Sequence, residues 1–391
     1  MSDPDTHELL IVGGGPAALS AARAYRGAGG PGSVAMVTDE RRVPYTRPAL
    51  SKELLRGEVS AADIILESER WPAEHGVALI GGRAVSLDCP EHRVSLSGGR
   101  EIEYRVCLLA TGAEPTRLPI LGADDPGVRT LRSLEDAHEL RARLGSRTEV
   151  VVIGSGFIGC EIAASLSMVG HRVTLISDEL APNVGRLGKQ AAGEIQRWLE
   201  ALGVSLSLGS GVDAIERAGD RLTVIAGDER PAGDLVIMAV GVRPRSELAA
   251  QAGLSLQEGA VPTDAHMRTE VPGLLAAGDV CLAENAAAGR AVAVEHWGDA
   301  LGQGDLAGQT AAGRDVSWAE APGFWSTIGS HTLKYSGWGD GFEAVRWEPG
   351  QNGAFVAWYG HGGQLVGVLA HQSDDAYERG RDLITQGTAW N

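Results

Sequence analysis

The sequence predicts an α/β fold: two Rossmann-like dinucleotide-binding domains and then a C-terminal α+β domain. Three observations carry that expectation. A short apolar run breaks into glycines and continues as an Ala-rich helical pattern at 8–24, and the same arrangement recurs at 149–168. Each copy leads into a second apolar run that ends in acidic residues, at 33–40 and at 172–179. From residue 318 on, the pattern changes to alternating segments such as 354–358 and 364–369, and six of the nine tryptophans fall there.

In the first copy, residues 9–12 form a strand. Gly13, Gly15 and Ala18 then meet the pattern G-x-G-x-x-A, with Pro16 and Ala17 at the start of the helix. A strand, a tight glycine turn and a helix N-terminus in that order make a pyrophosphate site, because the helix end presents free N–H groups and the positive end of its dipole. The first glycine permits the turn, the second lets backbone approach phosphate, and the small third residue lets helix pack on strand. The second strand, 33–38, ends at Asp39, which is placed to hydrogen-bond an adenosine ribose. Pro44 and Pro48 then forbid regular structure. Ser51 is expected to cap a helix beginning at Lys52, and Ala49, Leu50, Leu54 and Leu55 around it predict partial burial of Lys52. Short strands follow at 84–87, 93–96 and 105–109, with a turn at Gly98-Gly99 between the last two. The third runs into Ala110-Thr111-Gly112, a sharp exit.

The second copy is more complete. Residues 149–153 are a strongly β-branched strand, and Gly154, Gly156 and Gly159 frame a full G-x-G-x-x-G that contains Phe157 and Ile158. A helix to Met168, Gly170 closing it, and a strand at 172–176 that ends in Ser177, Asp178 and Glu179 complete the βαβ fingerprint. Two dinucleotide units in one chain pair FAD with a pyridine nucleotide. Short strands between 204 and 238 lead to a second exit at Gly241, much like the one at Thr111. A strand near 271–277 meets the turn Gly278-Asp279, and Glu295, His296 and Trp297 precede a small-residue helix. The tryptophan-rich tail reads as an antiparallel sheet with a last helix at 374–385, its tryptophans marking a core or an interface. The expected division is residues 1–113 and 245–318 for the FAD unit, 114–244 for the NAD unit and 319–391 for the α+β domain.

The bulk numbers agree. The chain has 391 residues, room for two or three domains, with 43% hydrophobic and 22% charged residues, an ordinary globular composition. A formal net charge of −17 argues against nonspecific binding to nucleic acid or anionic membranes. The four cysteines are scattered and form no C-x-x-C, so neither a zinc ribbon, a redox dithiol nor an iron–sulfur site is written here. Their number suits a reducing cytoplasm. The N-terminus lacks a basic region and its first residues, 2–6, read as a polar tail rather than a signal peptide.

Together these stretches resemble the two-dinucleotide-fold flavoprotein reductases over nearly the whole chain, and within them the oxygenase-coupled NADH–ferredoxin reductases, the putidaredoxin-reductase-like group. The residues that carry this are Pro44-Tyr45-x-Arg47-Pro48-x-Leu50-Ser51-Lys52, Ala110-Thr111-Gly112, 154–161, Gly278-Asp279, Glu295-x-Trp297 and Phe324-Trp325-Ser326. The resemblance implies FAD at Gly13, Gly15 and Ala18, Asp39 near the ribose, Arg47, Arg132 and Asp279 on FAD, Ala84 at the adenine, and Trp297 beside the flavin ring. It implies NADH rather than NADPH at Gly154, Gly156 and Gly159, with Lys52 at the isoalloxazine and Glu161 paired to it. It further implies a [2Fe–2S] ferredoxin as acceptor, serving a P450 or a ring-hydroxylating oxygenase, in the cytoplasm, from a monomer or homodimer. Docking an acidic carrier on an acidic chain needs a local basic patch, and Arg141, Arg143 and Arg147 are candidates. The group often has Glu where this chain has Ser177, next to Asp178 and Glu179, so a 2′-phosphate would meet acid. Rubredoxin reductase, monodehydroascorbate reductase, NADH oxidase and apoptosis-inducing-factor-like flavoproteins share the pattern, whereas a disulfide reductase would need a cysteine that 44–52 does not hold.

Overall fold

A computed structural model describes residues 5–40, 42–339 and 341–390. Its first sheet is built on the parallel pairing of Asp5–Val12 with Val34–Thr38 on one side and Glu101–Leu109 on the other. Val77–Gly81 extends it past Val34–Thr38, and Arg93–Leu96 and Ala84–Asp88 fold back antiparallel at the far side. Leu9 to Val12 and all of Val34–Thr38 are buried, as a parallel strand covered on both faces requires. The strand begins at Asp5, so Asp5 and Thr6, expected in a polar tail, pair instead with Ile102 and Glu103. Likewise the strand expected at 105–109 starts four residues earlier, because its polar first half pairs with both neighbours.

The chain returns to this sheet much later. Leu274–Ala276 pairs in parallel with Glu101–Leu109, and helix Trp297–Ala311 packs on helix Pro16–Gly27. Gly304 and Gly308 make that approach possible: a Cβ on them would stand 2.7 Å from Ala17 Cα and 2.9 Å from Ala21 Cα.

The second sheet is parallel throughout, in the order Ser205–Leu208, Arg172–Ser177, Glu149–Ile153, Leu235–Met238, Val128–Arg129. A three-stranded antiparallel flap, Ala214–Ala218, Arg221–Ile225 and Ala232–Gly233, adjoins it. The two exits meet one another: Ala113–Pro115 and Val242–Pro244 pair antiparallel, a two-stranded crossing between the sheets. The third sheet, five antiparallel strands from Gly323–Ile328 to Gln364–His371, carries helix Asp374–Thr385 on one face, as the sequence predicts. Trp318 and Trp358 are buried and Trp338, Trp347 and Trp390 partly so, while Trp325 is 43% exposed.

The segment around Lys52 differs from expectation. Arg47–Ser51 is a short 3₁₀ turn that accepts Pro48 near its start, where a missing N–H costs nothing. Glu53–Arg56 is one helical turn with Lys52 before it, and no side chain caps it. Ser51 is not a cap, because its hydroxyl is engaged elsewhere. Among the described residues no helix is long and apolar enough to cross a membrane.

Candidate functional site

Both glycine turns have the geometry the motifs demand. Gly13 (φ +148°) and Gly154 (φ +105°) lie where side chains rarely go, and a Cβ on either would collide with the carbonyl oxygen of Ala110 or Ala239. Gly159 presses on Gly154 in the same way. Gly15 and Gly156 instead face open space, with nothing within 4 Å of an added Cβ. Each precedes a helix whose first turn no side chain caps, Pro16–Gly27 and Phe157–Met168. Each loop is therefore a cradle of free N–H groups at a helix N-terminus, the setting for a pyrophosphate. Pro16 occupies the first helical turn, and Ala17 and Ala18 are buried against the neighbouring elements.

The turn Gly278-Asp279 stands beside the first cradle. Gly278 N–H donates to Gln303 Oε1 at 2.9 Å, and Asp279 pairs with Arg132 at 2.7 Å. Gln303 is wholly buried and its Nε2 has no partner, an unsatisfied donor behind the cradle. An open glycine loop at an uncapped helix N-terminus fits a bound phosphate-bearing cofactor. Arg47 links this turn to the second strand: it donates to the Arg132 carbonyl at 2.8 Å and pairs with Glu40 at 2.6 Å. Tyr45 O–H donates to Glu40 at 2.6 Å and accepts from Leu134 N–H at 2.9 Å. Burial alone would raise the Glu40 carboxyl, but the Arg47 charge and the hydrogen bonds from Tyr45 and Arg47 outweigh it and hold it below its usual range. Asp39, the acid singled out from the sequence, is exposed, and Glu40 is the one turned inward. Ala84 opens the edge strand of the first sheet. Thr111 Oγ1 donates to the Arg245 carbonyl at 2.7 Å, and Gly112 accepts from Arg245 N–H at 2.8 Å, which fixes Ala110-Thr111-Gly112 against the second exit beyond Gly241.

A buried charged cluster joins Lys52 to the helix that follows the second cradle. Lys52 Nζ is 2.7 Å from Glu161 Oε2, and the residues are 6% and 3% exposed. Ser51 O–H donates to the same oxygen at 2.5 Å; Ser326 O–H and Thr327 N–H donate to Glu161 Oε1 at 2.8 and 3.3 Å. The Glu161 carboxylate is thus the meeting point of the first sheet's 3₁₀ turn, the second unit's first helix and the C-terminal sheet. Its four donors offset much of the desolvation that a buried carboxylate incurs. Sequence spacing offers no sign of Ser51 or Ser326 as partners, since they lie 110 and 165 residues from Glu161.

Aromatic rings pack together near this cluster. Phe324 packs edge-on to Phe157 with ring centroids 4.7 Å apart, and His296 lies 4.6 Å from Phe324. His296 Nδ1 is bound to Asp299 at 3.0 Å, and Trp297 starts the helix that follows. Glu295 is open to solvent yet crowded by protein; desolvation first, then the Asp279 charge, raise its pKa. Ile158 is 48% exposed at the mouth of the second cradle. Asp178 is exposed, whereas the Glu179 carboxylate folds back to Ser155. Cys107, Cys160 and Cys281 are buried, and desolvation pushes the Cys281 thiol up to about 12. Arg141, Arg143 and Arg147 are all exposed.

The rubredoxin-NAD(+) reductase of Pseudomonas putida is 34% identical over 331 residues, covering 83% of this chain and 85% of its own. The ferredoxin reductase for the CYP199A2 system from Rhodopseudomonas palustris superposes with a TM-score of 0.93 at 30% identity, over 99% of this chain and 96% of its own. The reductase in the covalent putidaredoxin reductase–putidaredoxin complex superposes with a TM-score of 0.90 at 28% identity, over 98% and 93%. A profile of the pyridine nucleotide-disulphide oxidoreductases matches residues 7–304. With the two glycine cradles and the sheets that present them, that match makes this chain a member of the pyridine nucleotide-disulphide oxidoreductase family.

Proposed function

We propose that the protein is an FAD-dependent reductase that takes electrons from NADH and passes them to a small [2Fe–2S] ferredoxin for a P450 or ring-hydroxylating oxygenase. The observation that carries this reading is the buried Lys52–Glu161 pair, which ties the first unit to the helix after the second cradle. Bound FAD supplies a two-electron acceptor for hydride that can release electrons singly. The chain's residues do the rest. Gly13, Gly15 and Ala18 would receive the FAD pyrophosphate, with Arg47, Arg132 and Asp279 around it. Gly154, Gly156 and Gly159 receive NADH. The Lys52 ammonium, held in place by Glu161, offsets negative charge that builds in the cleft on hydride transfer, and a fixed charge in a dry site acts more strongly than one in water. Glu161 in turn is oriented by Ser51, Ser326 and Thr327. Phe324 and Phe157 keep water from the same space.

The division into residues 1–113 with 245–318, 114–244 and 319–391 belongs to this reading. The pairing of Leu274–Ala276 with Glu101–Leu109 supports the first unit, and that of Val128–Arg129 with Leu235–Met238 supports the second. The cytoplasm is the compartment this function needs, since NADH and a reduced carrier are present there.

The test is a panel of purified [2Fe–2S] ferredoxins and rubredoxins with cytochrome c as final acceptor and NADH or NADPH as donor. The reading expects NADH-driven cytochrome c reduction that depends on an added ferredoxin. Equal rates with no carrier, or dependence on rubredoxin alone, overturn it.

A further inference from the structure

The long helix of the second unit, Val184–Ala201, is broken near its start. Gly188 has φ +78° and ψ 171°, far from helical values, so 184–187 is a separate turn ahead of the break. A Cβ on Gly188 would lie 3.3 Å from Phe342 Cζ, so a ring from the C-terminal domain fills the notch. The end of a helical turn leaves carbonyls in need of other donors. The Leu187 carbonyl accepts from Tyr359 O–H at 2.9 Å. Tyr359 is 1% exposed on the strand Phe355–His361 of the third sheet, and the Phe342 ring lies 5.0 Å from its own. The turn leads back to the second cradle. Leu187 N–H donates to the Asn183 carbonyl at 2.9 Å, and Asn183 Nδ2 donates to the Ser155 carbonyl at 3.0 Å. Ser155 is buried between Gly154 and Gly156. Arg186, in the same turn, lies over the ring of Phe157, the first residue of the cradle's helix, at 5.9 Å. Three hydrogen bonds thus run residue to residue from the C-terminal sheet to the glycine loop.

We infer that Tyr359 is a positioning residue for the dinucleotide: its hydroxyl seats the turn 184–187 at the Gly188 break and so holds the second cradle in its binding shape. This rests on the reading that the second cradle takes NADH. The phenol acts at a distance, through Leu187 and Asn183. A turn freed from that bond has other positions to occupy. Only the seated fraction binds, so the apparent affinity falls by that fraction. One hydrogen bond is worth a factor of about two to ten in such an equilibrium, which sets the size of the effect. The C-terminal sheet then serves both the Lys52–Glu161 pair, through Ser326, and the coenzyme site, through Tyr359.

The test measures kcat and KM for ferricyanide reduction by the FAD-loaded protein with NADH. Calorimetric titration with ADP-ribose reads binding without turnover. Tyr359→Phe removes one oxygen and keeps the ring. It should raise KM about two- to tenfold and weaken ADP-ribose binding by the same factor. Its kcat and its flavin content should stay as they are, the pattern of lost binding rather than lost chemistry. Phe342→Leu loosens the packing behind Gly188 and Tyr359, and should move KM and ADP-ribose affinity the same way; it carries the test if Tyr359→Phe does not fold. Tyr25→Phe is the comparison, since Tyr25 O–H donates to the Pro31 carbonyl at 2.7 Å in the first unit. It loses a bond of the same kind and should lower the melting temperature while KM and ADP-ribose affinity hold. Values that move no further in Tyr359→Phe or Phe342→Leu than in Tyr25→Phe overturn the inference, as does a fall in kcat with KM unchanged. If the unaltered protein neither binds ADP-ribose nor accepts electrons from NADH, it is the underlying reading that fails instead.

Discussion

Lys52 Nζ and Glu161 Oε2 lie 2.7 Å apart although 109 residues separate them in the chain. Neither group reaches water freely, so each offsets part of the other's desolvation. Lys52→Met strands the carboxylate, a loss of about 3–5 kcal/mol in stability. It should also slow flavin reduction by NADH about 10²–10³-fold, the usual effect of removing one preorganised donor. The double variant Lys52→Met with Glu161→Leu should recover stability and not the rate. Anaerobic stopped-flow absorbance and thermal melting separate the two effects, and an unchanged reduction rate in Lys52→Met removes the lysine from the mechanism.

Glu40 gives the first pH dependence. Its carboxyl is held below the ordinary 4.5 by Arg47 and Tyr45 against the pull of burial. A depressed acid stabilises the fold above its unfolded value, and that contribution fades as pH falls through the folded value. Glu40→Gln should therefore lower the melting temperature at pH 7 and lose less than the unaltered protein between pH 5 and pH 3. Parallel melting curves for the two proteins across that range would show that Glu40 carries no such linkage.

His331 gives a second, of opposite chemistry. Its ring stacks on Trp198 at 4.4 Å and lies 5.4 Å from His371, with Glu194 the nearby acid. Desolvation, then the His371 charge, push its pKa below the ordinary 6.5, while Glu194 pulls the other way. The unfolded chain then takes up the proton first, so stability drops as pH falls through about 6.5 and levels off below the folded value. His331→Gln should flatten the melting temperature between pH 7.5 and pH 5.5. Differential scanning calorimetry reads this, and an equal slope in both proteins argues that the stack does not titrate.

Gly304→Ala tests the approach of two helices rather than a charge. A methyl there meets Ala17 backbone, which cannot move like a side-chain end. The helix Pro16–Gly27 must shift, at a cost of about 1–3 kcal/mol, and its N-terminus carries the first cradle. The purified variant should hold less flavin per chain, measured by absorbance, while Gly302→Ala, which meets nothing within 4 Å, should hold the usual amount.

The parts of the site that read clearly from sequence are those that depend on local backbone. Gly13 and Gly154 are legible because no other residue tolerates their turns, and Lys52 because the residues around it are apolar. What did not read depends on distant chain. Ser51 looks like a helix cap beside Lys52, and only Glu161, brought in from the second unit, draws its hydroxyl away. Ser326 and Tyr45 gain their meaning the same way, from Glu161 and from Glu40 with Leu134. Val128–Arg129 is a strand of two residues, too short to show any alternation, and it exists because Leu235–Met238 has an open edge to fill. Asp178 and Glu179 look alike in the sequence, and only the fold separates them: Glu179 folds back to Ser155 while Asp178 stays exposed.

The return of Leu274–Ala276 and Trp297–Ala311 to the first sheet has a consequence for biosynthesis. The second sheet is made from one unbroken piece of chain, 128–238, and can close as soon as that piece leaves the ribosome. The first glycine turn emerges earliest of all, yet its supporting strand and helix are translated some 260 to 300 residues later. The loop made first is therefore completed only after the second sheet, and the nascent chain carries an unfinished cradle through most of its synthesis.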